Sequence, residues 1–163
     1  MKILILQISA LGDIIYTLFF IKQLFYSFKK KFENVTIDWL VKNKNILLEN
    51  QSEINCVIYD KKNIIDDYDY VIDFGTKRST CFLKYKLSVI KIGFTTNKIR
   101  KFFIPWLNDY SVYYDSQYSV MINQRNMVEF ICNIHDISLF CPKVTIDYNI
   151  DIIKDIYEYC KPL

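Results

Sequence analysis

Alanine, glycine and proline are almost missing from this chain. One alanine (Ala10), three glycines and three prolines occur in 163 residues, against thirteen tyrosines and twelve phenylalanines. Such a scarcity of breakers excludes collagen-like and linker-like classes, and a hydrophobic share of 52% excludes intrinsic disorder. Histidine is nearly absent too. His135 is the sole imidazole, and the five cysteines (Cys56, Cys81, Cys132, Cys141, Cys160) include no C-x-x-C pair, so no zinc set emerges and no metal or other cofactor is expected. An odd cysteine count without framework spacing reads as buried, reduced thiols in a cytoplasmic chain. Long apolar runs are lacking as well. The longest, Ile14 to Phe28, is interrupted by Thr17, Lys22 and Gln23 and falls short of the about 20 residues that span a bilayer. MKILILQ has neither the hydrophobic length nor the cleavage site of a secretory signal.

Acidic residues are missing from one stretch only. Residues 77–108 carry eight basic side chains (Lys77, Arg78, Lys84, Lys86, Lys91, Lys98, Arg100, Lys101) and no acid, within a chain whose net charge is +3. A cationic block inside a nearly neutral chain predicts an anionic partner.

What is present is an alternation of strand and helix. Lys2 to Gln7 is a continuous apolar run of the kind buried in a parallel sheet. After Asp13, residues Ile14, Leu18, Ile21, Leu24, Phe25 and Phe28 recur at helical spacing, and Lys29 to Lys31 complement the helix's negative end. Strands are predicted at Val35–Val41, Cys56–Tyr59, Tyr70–Phe74 and Val89–Gly93. Helices are predicted around Lys44–Asn50, at Ser79–Leu87 and from about Tyr118 to Ile134, the last with Met121, Val128, Ile131 and Ile134 on its inner face. Consecutive parallel strands need crossover helices, so the fold class is α/β, a doubly wound and mainly parallel sheet. Gly12, Gly75 and Gly93 all fall at or just past predicted strand ends, the edge where such sheets bind ligands.

The densest information lies in ILILQ-ISALGD-IIYTL. A strand enters a short loop with one glycine, and an acid then opens a helix. With Gly12 alone it is not a G-x-G-x-x-G fingerprint, and no G-K-[ST] makes it a phosphate-binding loop. Asp13 is then either a first-turn carboxylate that satisfies helix amides or a general base held at the sheet's ligand edge.

This segment resembles the N-terminus of the bacterial heptosyltransferases of glycosyltransferase family 9, whose form is a hydrophobic strand, S-x-L-G-D and T-L-P. Ser9, Leu11, Gly12, Asp13, Thr17 and Leu18 match as they stand, while Gln7 replaces a common basic residue and Phe19 the proline. I-D-W-L-V at Ile37–Val41, Y-D-Y-V-I-D ending at Asp73 and K-I-G-F at Lys91–Phe94 follow in family order. The resemblance implies a Rossmann-like domain over residues 1–145, equivalent to the N-terminal half of a GT-B glycosyltransferase. Residues 146–163 would then be a tail leading towards a donor-binding half that the chain lacks.

By the same resemblance the reaction transfers heptose from ADP-heptose to the inner core of lipopolysaccharide, with inversion and without a metal. Asp13 is the implied general base, and Ser9 and Gly12 join it around the acceptor. Lys77 and Arg78 follow Gly75 at a strand end and read either as a solvated helix start or as a dock for acceptor oxyanions. Lys98, Arg100 and Lys101 lie beside Phe102, Phe103 and Trp106. That interleaving suits a basic-edged core helix, an anionic inner-membrane surface with Trp106 at headgroup depth, or stacked single-stranded nucleic acid. No RNP1 motif accompanies it, so a lipid-linked acceptor is expected and a nucleic acid is not. The expected partners are ADP-heptose (held mostly by the other half), the lipopolysaccharide core and a separate C-terminal polypeptide. Without that polypeptide the chain is expected to be inactive. A non-catalytic acceptor-binding module and an inactive gene remnant are the alternatives.

Overall fold

A computed structural model describes residues 1–7, 11–41, 46–58, 67–75, 84, 89–95 and 108–140. Among them are six strands, β1 (Lys2–Leu6), β2 (Thr36–Val41), β3 (Ile54–Ile58), β4 (Tyr70–Asp73), β5 (Ile90–Thr95) and β6 (Tyr110–Tyr113). Three helices are described with them: α1 (Leu11–Lys29), α2 (Ile46–Glu49) and α3 (Val120–Ile134). The strands form one sheet in the order β3-β2-β1-β4-β5-β6, and every neighbouring pair is parallel. This is the order of a Rossmann-like, doubly wound sheet.

The unbroken hydrophobicity of β1 follows from burial on both faces. Ile3 and Ile5 join Ile37, Trp39, Ile72 and Ile92 in a core completed by Leu18, Ile21, Leu24 and Phe28 of α1 and Met127, Val128 and Ile131 of α3. Leu4 and Leu6 turn to the opposite face, where they meet Leu40 and Val71. Register at the strand starts is fixed by a repeated device. The carboxylates of Asp69 and Asp109, which lead into β4 and β6, each accept the backbone N–H of the neighbouring strand's Lys2 or Lys91 at 2.7 Å. The aspartates' own N–H groups donate to the same two residues' carbonyls at 2.9 and 2.8 Å.

α1 is tied to α3 at both ends. Near its start, Gln124 Nε2 donates to Thr17 Oγ1 at 2.7 Å. Near its end, the Ser27 hydroxyl accepts the Phe140 N–H at 2.8 Å and Lys31 Nζ donates to the His135 carbonyl. α3 starts at an N-cap, Ser119, and the buried Asn123 side chain bonds both the N–H and the carbonyl of Asp115 to close the preceding turn.

Four expectations need correction. Met121 is exposed, whereas Val128 and Ile131 are buried as expected and Ile134 packs against the core; Asn123, Gln124, Met127 and Cys132 complete the inner face of α3. Gly93 lies inside β5 rather than at its end, and Gly12 lies within α1. β6 escapes a periodicity reading because it is a four-residue edge strand with one half-buried position, Val112. Lys84 belongs to the cationic block in sequence but is buried, not presented to a partner. The predicted helix at Ser79–Leu87 (Lys84 apart) and the tail at 146–163 lie outside the described residues.

Candidate active site at the carboxyl edge of the sheet

Strand order reverses between β1 and β4, and the crevice beyond their carboxyl ends is where open α/β sheets bind ligands. The two ends are in register. Leu6 pairs with Asp73, and the Phe74 N–H donates to the Leu6 carbonyl at 3.2 Å. α1 rises from this edge with Gly12 and Asp13 in its first turn. Asp13 is partly exposed and its charge complements the positive end of the helix. Gly12 is exposed, and a Cβ built there would meet nothing within 4 Å. Packing among the described residues therefore does not demand glycine at 12.

Three aromatic rings line the same end of the sheet. Phe74 meets Phe94 edge-on at 6.3 Å, and Phe94 meets Tyr114 at 5.3 Å. On the opposite sheet face a polar knot links β4 to β6 across β5. The Asp73 carboxylate pairs with Lys84 Nζ at 2.8 Å, with both side chains at most 3% exposed, and also accepts the Gly75 N–H at 2.9 Å. Lys84 Nζ donates to Asn108 Oδ1 at 2.7 Å, and Asn108 Nδ2 donates to Ser111 Oγ at 3.3 Å. Gly93 is what makes room for the knot: a Cβ there would lie 2.8 Å from Asn108 Oδ1 and 3.0 Å from Lys84 Nζ.

Of the site residues predicted from sequence, Gly12 and Asp13 stand together on one helical turn at the switch point. Ser9, Lys77, Arg78, Lys98, Arg100, Lys101 and Trp106 lie outside the described residues. Sequence reasoning missed the Asp73–Lys84–Asn108 knot and the Thr17–Gln124 bond. The available signal was a polar residue interrupting an apolar period, as Thr17 does in α1. Among the described residues no group of three His, Cys, Asp or Glu side chains could hold a metal ion. None of the described helices is long and apolar enough to cross a membrane. Burial, reinforced by the nearby Glu49 carboxylate, pushes the Cys56 thiol up to about 11, which suits a structural rather than a nucleophilic cysteine.

Comparison with solved structures bears on the fold that carries this edge. The chain is similar to E. coli heptosyltransferase WaaC with ADP, with a TM-score of 0.63 and 16% identity over 92% of this chain and 51% of that one. It is likewise similar to WaaC with ADP-2-deoxy-2-fluoro heptose, with a TM-score of 0.63 and 15% identity over 99% of this chain and 55% of that one. A family 9 glycosyl transferase from Veillonella parvula DSM 2008 gives 0.60 and 16% identity over 97% of this chain and 48% of that one. The shared fold is that of about half a glycosyltransferase. At these identities the likeness shows the architecture, and the chain spans about half the length of the structures it matches. No family model and no curated protein matches the sequence.

Proposed function

We propose that this chain is the acceptor-side half of a sugar transferase of the heptosyltransferase type, with Asp13 as its general base. The observation that carries the reading is the position of Asp13, partly exposed on the first turn of α1 at the switch point of a sheet shared with WaaC. In the proposed step an acceptor hydroxyl attacks the anomeric carbon of a nucleotide-linked heptose. The bond from that carbon to the diphosphate breaks with inversion, ADP leaves, and the hydroxyl proton passes to the Asp13 carboxylate. The work asked of this chain is to hold the acceptor hydroxyl within hydrogen-bond reach of that carboxylate, since geometry comes before basicity in general-base catalysis.

The donor assignment rests on the ADP and ADP-sugar analogue held by the similar WaaC structures. Lipopolysaccharide inner core as acceptor, Lys77 and Arg78 as its oxyanion contacts, and an anionic inner-membrane surface for Lys98, Arg100, Lys101 and Trp106 belong to the same proposal. A reconstituted assay tests it. The chain is mixed with a separately expressed donor-binding half, ADP-heptose and lipopolysaccharide core, and ADP release is followed. Transfer should require both polypeptides, and Asp13→Asn should slow it by about 10²–10⁴-fold. Transfer that is indifferent to Asp13→Asn refutes the base. Saturable core binding without transfer under any complementation would make the chain a binding module instead.

A further inference from the structure

We propose that Gln124 and Thr17 are positioning residues for Asp13, forming a buried relay from α3 that fixes the first turn of α1. Its catalytic meaning rests on the function proposed above, but its geometry does not. Gln124 Nε2 donates to Thr17 Oγ1 at 2.7 Å, and Thr17 Oγ1 donates to the Asp13 carbonyl at 2.8 Å. Both side chains are buried, and the Gln124–Thr17 bond spans 107 positions of sequence.

A threonine that bonds the carbonyl four residues back is an ordinary helix contact, free to exchange for another rotamer. Here that freedom is gone. The hydroxyl has a single proton, and the amide nitrogen of Gln124 can only donate, so the Thr17 proton is committed to Asp13. The energetics point the same way. Among the described residues the buried Gln124 Oε1 meets no hydrogen-bond donor, a deficit that leucine of similar size would not carry in this α1–α3 contact. Adhesion of the two helices would be served better by an apolar residue. What the amide adds is a directional bond to the turn that carries Asp13. The residue gives up stability and gains a fixed orientation at the sheet's ligand edge.

The test uses the intact 163-residue chain labelled with ¹³C, reading the Asp13 side-chain carboxyl resonance alongside the thermal midpoint. Thr17→Val and Gln124→Leu should move that resonance in the same direction. The double variant should move it no further than the larger single change, because the bonds act in series. Thr17→Ser, which keeps the hydroxyl, should restore the wild-type signal. Ile131→Val, in the same helix face, should lower the midpoint and leave Asp13 unmoved. Gln124→Leu is expected to fold at least as well as wild type, so the proposal stays exposed if Thr17→Val does not fold. An unmoved Asp13 resonance in Gln124→Leu, or simple additivity in the double variant, overturns the relay.

In the reconstituted transfer assay Gln124→Leu should lower kcat by roughly 10–100-fold with KM unchanged, the scale of a misplacement near 1 Å. If Asp13→Asn abolishes transfer while Gln124→Leu leaves kcat intact, the positioning role fails and the base stands. If the relay variants move Asp13 but transfer ignores Asp13→Asn, the functional reading fails and the relay stands.

Discussion

Removing the ammonium of Lys84 is the sharpest perturbation the fold offers. It lies 2.8 Å from the Asp73 carboxylate, and both side chains are almost fully buried. At that separation the gross attraction is about 6 kcal/mol for an effective dielectric of about 20. Desolvation of the two ions costs several kcal/mol each, so the pair as a whole contributes little net stability. A single deletion does not share that balance. Lys84→Met keeps the side chain out to Cε but takes the ammonium away from the buried carboxylate and from Asn108 Oδ1. The expected loss is about 3–5 kcal/mol, a large part of the roughly 5–15 kcal/mol available to a domain of this size. The double variant Asp73→Leu/Lys84→Met removes both charges and should recover at least half of that loss. Urea unfolding followed by circular dichroism at pH 7 reads the midpoints, and a shift at constant slope is a stability change. Raising the salt to 1 M should hardly alter the result, since buried pairs escape screening. A loss below about 1 kcal/mol in Lys84→Met, or a double variant equal to the sum of its singles, would show that the ion pair is not what holds Lys84 against β4.

Gly93→Ala should destabilise by about 1–3 kcal/mol in the same urea assay, and Asn108→Ala in the same chain should relieve part of it, because the new Cβ meets the Asn108 amide first. His135 predicts a pH dependence. Burial and then the Lys31 cation hold its imidazole below the ordinary value, against a smaller upward pull from Asp136. Its contribution is therefore complete above the unfolded value near 6.5 and is lost as pH falls from there through the lower folded value. His135→Phe should flatten the change in urea midpoint between pH 7.5 and 5.5 relative to wild type, and an identical change in both chains refutes the assignment. Replacing Lys98, Arg100 and Lys101 with glutamine should reduce co-sedimentation with anionic vesicles at low salt. Equal retention on neutral vesicles would remove the electrostatic account.

The central architecture was legible because it is written in period and in order. β1 reads as a doubly buried strand from ILIL, and the 3.6-residue rhythm from Ile14 to Phe28 predicts α1 to within a few residues. Asp13 was legible as a candidate because a lone Gly-Asp pair at a strand-helix turn falls on the ligand edge of any parallel α/β sheet. β6 was not, since an exposed edge strand needs no hydrophobic alternation. The inner face of α3 was legible at Val128, Ile131 and Ile134, and misread at its first turn for the opposite reason. Asn123 and Gln124 are polar yet buried, holding a turn and a neighbouring helix, while the apolar Met121 faces outward. A hydrophobicity pattern cannot rank a side chain whose place is set by one partner far away in sequence. The Asp73–Lys84 pair fails in the same way, with its lysine counted as surface charge until the sheet placed a carboxylate beside it.

α1 shows why such polar interruptions recur where they do. Thr17, Lys22 and Ser27 all break its apolar stripe, and all are buried. Each reaches a different element. Thr17 accepts from Gln124 in α3, Lys22 pairs with Glu53 at 3.3 Å just before β3, and Ser27 accepts from Phe140 after α3. Burial alone would raise the Glu53 carboxyl, but the Tyr26 hydroxyl, its own backbone N–H and the Lys22 ammonium outweigh it and hold it below its ordinary value. Glu53 therefore stays ionised at neutral pH and the tether holds. Hydrophobic burial is non-directional, so an apolar stripe alone would bind α1 to the sheet while tolerating some rotation and sliding. Hydrogen bonds and close ion pairs do not tolerate it, because they weaken steeply as distance and angle depart from optimum. Three tethers along one helix fix both its rotation and its height. Under the proposed function, that fixity is what holding the Asp13 carboxylate steady at the carboxyl edge of the sheet asks of α1.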